Sequence, residues 1–234
     1  MPVAESYREG ITENTRLLSW SMAKSITNAL VGILSGEGRL NIYEPVGLEP
    51  WNGDERGKIT LNDLMQMQSG LKWNEDYGNR SDVTVMLHCE SDFAAFAYNQ
   101  PAEYPAGNDW YYSSGTTNIV SYIIRKQFGD DSDYYSFPHR ELFYRIGITD
   151  AVFEVDPSRN VGSSSYLYMT ARDYARFALL YQQDGIFNGE RILPEGWVDY
   201  ATTPASDSSG GYGSFFWLNG NGELPAAPVR HICV

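Results

Sequence analysis

The stretch Ser21-Met22-Ala23-Lys24 stands at the start of the strongest helical pattern in this chain. Apolar residues follow it at a spacing typical of one face of an α-helix: Ile26, Leu30, Ile33 and Leu34. A serine in the first turn has its hydroxyl at the helix N-terminus, and a lysine three residues later lies on the same face, about one turn up. The helix N-terminus adds backbone N–H groups that favour developing negative charge.

This spacing suits acyl transfer through a serine ester. A serine hydroxyl is a poor nucleophile and needs an adjacent base. Lys24 can be that base only if burial or a positive neighbour lowers its pKa. The chain holds a second match, Ser69-Gly70-Leu71-Lys72. Gly70 is typical of a helix end, so Lys72 has no fixed relation to Ser69, and we interpret this match as a structural turn.

A second polar cluster, Tyr112-Ser113-Ser114, opens a predicted helix over residues 116–128. Tyr112 and Ser114 alternate along the chain, so both can face one cleft. A lysine ammonium nearby would favour the Tyr112 phenolate, which could then relay protons. Ser114 could donate to a substrate or hold Lys24. The alternative is that Tyr112 is a packed aromatic residue and the two serines are helix caps.

Composition and charge exclude several classes of partner and cofactor. The chain has 234 residues, and its net charge of −13 argues against nucleic-acid or anionic-membrane partners. It has three His and two Cys residues, without a spacing that suggests zinc. An apolar run of membrane-spanning length and a secretory signal are both missing from the sequence. We therefore expect no membrane span, and the compartment stays open. We also predict a small-molecule substrate and a monomer.

Periodicity predicts mainly helices along the chain. The predicted helices cover residues 21–36, 60–68, 82–98, 116–128, 130–146 with a break near Pro138, and 170–183 with Thr170 as the cap. Residues 163–169 and 212–218 are predicted to be extended.

Taken together, the two clusters resemble the serine beta-lactamase and penicillin-binding-protein superfamily. The branch that looks most similar is the class C-like serine hydrolases, the esterases and 6-aminohexanoate-dimer hydrolases. Four segments carry the resemblance: residues 17–25, 68–71, 112–118 and 170–173. It implies an α/β (α+β) fold in which an antiparallel sheet is flanked by helices. The chain would be a single domain over residues 1–234, with a mostly helical region inserted over about 40–160.

The resemblance also implies the roles of the site residues. Ser21 resembles the acylated nucleophile, and its backbone N–H half of the oxyanion hole. Lys24 resembles the base, and Tyr112 the general acid/base. Ser114 stands where many relatives have Asn, so it is assigned to substrate binding or to holding Lys24. A metal or organic cofactor is not expected.

One family motif, Lys-Thr-Gly or His-x-Gly on the strand beside the cleft, finds no match here. The late histidine, His231, is not followed by the glycine of that motif, and residues 226–234 do not resemble it. Two explanations compete: a chain cut short at both ends, or a chain whose last nine residues are altered by a frameshift or a different terminus. In either case we expect an incomplete sheet, low activity and low stability. The favoured function is an esterase or amidase. The alternatives are a beta-lactamase or D,D-peptidase, and an inactive or sensor-like protein that recognises penicillin.

Overall fold

The computed structural model describes residues 4–222, 224–226 and 232–233. Helices surround a small antiparallel sheet, as the α/β (α+β) prediction states. The helices are α1 Met22–Gly36, α2 Leu61–Met65, α3 Asp82–Cys89, α4 Phe93–Tyr98, α5 Ser114–Arg125, α6 Asp131–Pro138, α7 Ala171–Gln182 and α8 Trp197–Thr202. The strands are β1 Leu17–Leu18, β2 Val152–Phe153, β3 Leu167–Met169, β4 Ile186–Phe187, β5 Glu190–Arg191, β6 Trp217–Leu218 and β7 Ile232–Cys233. Among the described residues, no helix is long and apolar enough to cross a membrane.

The sheet fixes the point at which α1 begins. Its strand order is β1-β3-β2, with both neighbours antiparallel to β3. Leu17 pairs with Met169 and Leu18 with Tyr168. The Ser19 N–H then donates to the Leu167 carbonyl at 2.7 Å, which extends the pairing one residue past β1. Only Trp20 and Ser21 separate this anchor from the first residue of α1.

Helix α1 is the centre of the core. Every residue from Ala23 to Leu34 is buried, so neighbours cover the helix on all sides. Small residues let those neighbours approach: a Cβ added at Gly32 would lie 2.6 Å from the Trp197 indole. Asn28 accepts hydrogen bonds from Tyr181 Oη at 2.6 Å and from Trp197 Nε1 at 2.8 Å. These bonds tie α7 and α8 to the central helix.

Local hydrogen bonds set several boundaries. The predicted cap Thr170 forms a capping box with Asp173, and Thr60 does the same with Asp63 at the start of α2. The helix predicted over 82–98 is divided into α3 and α4, because Asp92 accepts from the Ala95 N–H and begins a new helix. Helix α5 begins two residues earlier than predicted, because the Ser113 hydroxyl accepts from the Thr116 N–H.

The remaining predictions are confirmed in part. The break near Pro138 is confirmed, since α6 ends there and a π-helical turn, His139–Phe143, follows. The two predicted extended segments are shorter than expected. The first is a strand only at Leu167–Met169, and the second only at Trp217–Leu218. Residues 163–165 form turns that bring backbone carbonyls toward the N-terminus of α1.

Gly70 ends the turn after α2, and its position requires glycine for two reasons. Its φ is +69°, and a Cβ there would lie 2.1 Å from the Tyr104 carbonyl oxygen. Gly38 has nearly the same φ, +70°, but has nothing within 4 Å of the Cβ position. The pair therefore separates the cost of a left-handed backbone from the cost of a close approach.

We expect Gly38→Ala to lower the free energy of unfolding by about 1–2 kcal/mol, the cost of a left-handed non-glycine residue. Gly70→Ala should lower it by clearly more, because the Tyr104 backbone must also move. Urea unfolding followed by circular dichroism measures both. Equal losses in the two variants would mean that the contact with Tyr104 does not constrain the turn.

Candidate active site

Ser21 stands at the N-terminal boundary of α1, directly after the sheet. Its side chain does not cap the helix. The residue before it, Trp20, has a φ of +47° and is 57% exposed. A left-handed backbone at a bulky residue is strained, and such strain persists only where the surrounding structure fixes it. Here β1 on one side and α1 on the other hold the turn. Because the Ser21 hydroxyl does not cap the helix, it is available to other partners.

Lys24 brings this hydroxyl into a polar cluster inside the protein. Its side chain is 1% exposed. Its Nζ donates to Ser21 Oγ at 3.1 Å, to Ser114 Oγ at 3.1 Å and to the Ser164 carbonyl oxygen at 3.0 Å. The predicted pair Ser21/Lys24 is therefore in hydrogen-bond contact. By contrast, Ser69 Oγ accepts from the Leu71 N–H at 3.3 Å and lies 3.5 Å from Thr116 Oγ1.

Burial sets the protonation of the amine. Removal from water disfavours the charged form and lowers the pKa of Lys24 from 10.5 to about 8. The negative charge of Glu75 opposes this effect and is the smaller of the two causes. A substantial fraction of Lys24 is thus neutral at slightly alkaline pH, and the neutral amine can accept a proton from Ser21.

Ser114 is the first residue of α5 and is fully buried. The cap of this helix is Ser113, so the alternative reading of the two serines as caps holds for Ser113 and not for Ser114. The Ser114 hydroxyl accepts from Lys24 and donates to Glu75 Oε1 at 2.5 Å. The predicted contact between Ser114 and Lys24 is therefore present.

Tyr112 lies beside the same cluster, but one expectation about it is wrong. Lys24 Nζ is 5.0 Å from the centre of its ring, a cation–π distance. From the sequence we expect Lys24 to favour the phenolate of Tyr112. Instead burial raises the pKa of Tyr112 well above its ordinary value, and Glu75 adds to the rise, while the nearby Ser21 hydroxyl opposes it. Tyr112 is therefore a protonated phenol, a proton donor.

Two aromatic side chains, Trp217 and Tyr212, pack against Tyr112 and form an aromatic wall with it. The Trp217 ring stacks on it with centroids 5.2 Å apart and an interplanar angle of 27°. Tyr212 meets it edge-on at 5.8 Å. Trp217 is itself 44% exposed, so the wall has both a buried and a solvent-facing side. Burial of the phenol is the main cause of its raised pKa, and the contact with Trp217 opposes that rise.

Sequence reasoning missed Glu75 and its neighbours. Glu75 Oε1 accepts from Tyr77 Oη at 3.1 Å as well as from Ser114. Glu75 Oε2 accepts from Trp73 Nε1 at 2.5 Å and from the Ser114 N–H at 2.9 Å. The alternation of Trp73, Glu75 and Tyr77 in an extended loop is the signal that could have indicated a shared face.

The third family motif cannot be placed. His231 and most of residues 226–234 lie outside the described residues. Strand β7, Ile232–Cys233, pairs antiparallel with β6 next to Trp217. In the described part of the chain, no group of three or more His, Cys, Asp or Glu side chains is arranged to hold a metal ion.

Comparison with known proteins identifies the family. The sequence profile of the family described as Beta-lactamase matches residues 3–231. The chain belongs to the beta-lactamase family. A curated relative is the 6-aminohexanoate-dimer hydrolase of Paenarthrobacter ureafaciens, which is 24% identical over 94% of this chain. The chain spans 62% of the length of that relative.

Solved structures share the beta-lactamase fold. A Bacillus anthracis protein provisionally named 6-aminohexanoate-dimer hydrolase superposes with a TM-score of 0.78 at 22% identity, over 92% of this chain and 62% of its own. A penicillin-binding protein of Bacillus halodurans gives a TM-score of 0.69 at 16% identity, over 88% and 71%. A D-stereospecific amidohydrolase of a Streptomyces species gives 0.63 at 18% identity, over 87% and 71%.

The buried amine makes a pH prediction for Ser21. The reaction of its hydroxyl with an activated ester should accelerate as the pH rises through about 8, because Lys24 must be neutral to accept the proton. Tyr112 stays protonated as the pH rises, so its titration should not lower the rate. Single-turnover release of p-nitrophenol between pH 6 and 10 measures the rate. A flat profile, after correction for the parallel Ser21→Ala reaction, would contradict Lys24 as the base.

Proposed function

We propose that this chain carries the catalytic centre of a serine hydrolase that cleaves an ester or amide bond through an acyl-enzyme on Ser21. The observation that carries the proposal is the buried Lys24 amine, 3.1 Å from the Ser21 hydroxyl at the N-terminus of the central helix. A nucleophile in hydrogen-bond contact with a base of lowered pKa is the arrangement that covalent catalysis requires.

Acylation begins when neutral Lys24 takes the Ser21 proton and the serine oxygen attacks the substrate carbonyl carbon. The carbonyl oxygen becomes negative in the tetrahedral intermediate. The backbone N–H of Ser21, at the positive end of α1, is placed to stabilise that charge. Lys24 is then an ammonium, and Ser114 and the Ser164 carbonyl accept its hydrogen bonds.

Collapse of the intermediate requires a proton for an amide nitrogen. Tyr112 supplies it, since burial keeps the phenol protonated. The ammonium of Lys24 then returns a proton to the phenolate. In the second half of the cycle water attacks the acyl-serine and the same groups act in reverse, so that Ser21 regains its proton and the carboxylic acid leaves.

The substrate class favoured here is a linear amide or a small ester. Support comes from the name of the curated relative, a hydrolase of the 6-aminohexanoate dimer, and from the amidohydrolase among the structural neighbours. A beta-lactamase, a D,D-peptidase or a penicillin sensor uses the same serine chemistry. The lifetime of the acyl-enzyme separates these functions, because a sensor deacylates slowly and a hydrolase rapidly.

We expect intact-mass spectrometry to detect a butyryl adduct after incubation with p-nitrophenyl butyrate. Ser21→Ala should abolish the adduct, and Lys24→Met should slow its formation by roughly 10²–10⁴-fold, the usual contribution of a positioned base. Ser69→Ala, in the second Ser-x-x-Lys match, is the matched control and should retain it. If Ser69→Ala lost the adduct and Ser21→Ala kept it, the nucleophile would be Ser69 and the proposal would be wrong.

A penicillin in the same assay tests the alternatives. Rapid turnover without a stable adduct would indicate a beta-lactamase, and a stable penicilloyl adduct would indicate a sensor or D,D-peptidase. Reaction with the ester and a linear amide but not with penicillin would support the favoured function.

Tyr112→Phe should distinguish amides from activated esters. The variant keeps the stacking on Trp217 but loses the acidic hydroxyl. Amide cleavage should fall by roughly 10²-fold or more, the lower end of general-acid contributions. Acylation by a p-nitrophenyl ester should fall less, because p-nitrophenolate leaves without a proton. The exposed neighbour provides the control, Tyr111→Phe. Equal losses for both substrates would argue against proton donation by Tyr112.

A further inference from the structure

The Glu75 carboxylate is surrounded by donors next to the proposed base. Within the described residues, Oε1 accepts from Ser114 Oγ and Tyr77 Oη, and Oε2 accepts from Trp73 Nε1 and the Ser114 N–H. A carboxylate only accepts hydrogen bonds. Ser114 Oγ also lies 3.4 Å from Tyr77 Oη, but its contact with Glu75 Oε1 is far shorter, at 2.5 Å, so the hydroxyl proton of Ser114 points at Glu75.

This orientation decides what Ser114 presents to Lys24. With its proton directed at Glu75, the Ser114 oxygen has only lone pairs left for Lys24 Nζ, 3.1 Å away. The Ser164 carbonyl oxygen, 3.0 Å from Nζ, is also an acceptor and nothing else. Two of the neighbours of the amine are thus fixed acceptors, and the Ser21 hydroxyl alone can act either way.

A neutral primary amine has two N–H groups and one lone pair. The two fixed acceptors take the two N–H groups, so the lone pair faces Ser21 Oγ at 3.1 Å. That is the geometry in which the amine accepts the serine proton. If Ser114 were free to rotate, its hydroxyl could instead donate to the Lys24 lone pair and occupy it.

We propose that Glu75 is a positioning residue that, through the Ser114 hydroxyl, turns the lone pair of Lys24 toward Ser21. This inference rests on the proposed function, since it assigns Glu75 a part in the same acylation step.

The charge of Glu75 also affects the pKa of Lys24, which can be measured separately from the rate. Glu75 raises the pKa of Lys24, against the larger effect of burial, and it also raises the pKa of Tyr112 and Tyr77. The groups that feel this charge are Lys24 in α1, Tyr77 in the loop after Gly70, Tyr112 before α5, and the buried Tyr212 before β6, whose pKa Glu75 also raises. Loss of the charge should therefore lower the pKa of Lys24 further.

Glu75→Gln is the direct test, because it keeps the shape and removes the charge. In the single-turnover assay with p-nitrophenyl butyrate, acylation at pH 9 should be roughly 10- to 100-fold slower, as expected for a misdirected catalytic group. The midpoint of the pH profile should also move down by about half a unit or more, since a neighbouring opposite charge commonly shifts a pKa by one unit or more. Asp76→Asn, the exposed neighbour with the same change of charge, should match the parent in both.

Two further variants separate a positioning role from a structural one. Glu75→Asp keeps the charge but shortens the reach, so the rate should fall while the midpoint stays near that of the parent. In a Ser114→Ala background, which lacks the connecting hydroxyl, Glu75→Gln should slow acylation by less than twofold more. Thermal unfolding of each variant shows whether it is folded.

The outcomes distinguish the two proposals. If the parent forms no Ser21-dependent adduct, the proposed function and the role of Glu75 are both wrong. If the parent is acylated but Glu75→Gln has the parent's rate and midpoint, only the role of Glu75 is wrong. The same conclusion follows if the losses from Glu75→Gln and Ser114→Ala simply multiply, or if Glu75→Gln slows the reaction without moving the midpoint.

Discussion

The burial of one lysine amine is the constraint on which the site depends. Placing an ammonium group in a protein interior is unfavourable unless polar partners surround it. Lys24 finds those partners in three parts of the chain: Ser21 in its own first turn, Ser114 at the start of α5, and the Ser164 carbonyl before β3. Helix α1, helix α5 and the sheet must all be in place before the amine is satisfied. The polar cluster is therefore a consequence of the whole fold.

The core around α1 provides the rigidity that this cluster requires. The helix is covered on all sides, and close packing of Gly32 against Trp197 leaves little room for it to shift. Asn28 connects it to α7 and α8 through buried hydrogen bonds. At its N-terminus the strained turn at Trp20 is held between the sheet and the helix. Catalytic groups held by packed elements keep their geometry better than groups on loops.

Burial also moves the pKa values of the proposed base and the proposed acid in opposite directions. Removal from water disfavours whichever form is charged, so it lowers the pKa of the Lys24 amine to about 8 and raises the pKa of the Tyr112 phenol. One physical cause thus leaves an amine that can lose its proton and a phenol that keeps one. Pairs of groups whose environments move their pKa values apart are typical of acid–base sites. Glu75 moderates the first shift and reinforces the second.

The sequence by itself determined the features that depend on local geometry. Residues three apart on a helix share a face, so Ser21 and Lys24 could be paired, and the cap at Thr170 could be placed from its own neighbours. Only the tertiary structure decided which acceptors surround Lys24, how Glu75 reaches Ser114, and in which direction the pKa of Tyr112 moves. Those outcomes depend on contacts between residues 39 to 140 positions apart and on the exclusion of water. Neither is encoded in the spacing of nearby residues, because both arise only when distant elements pack together.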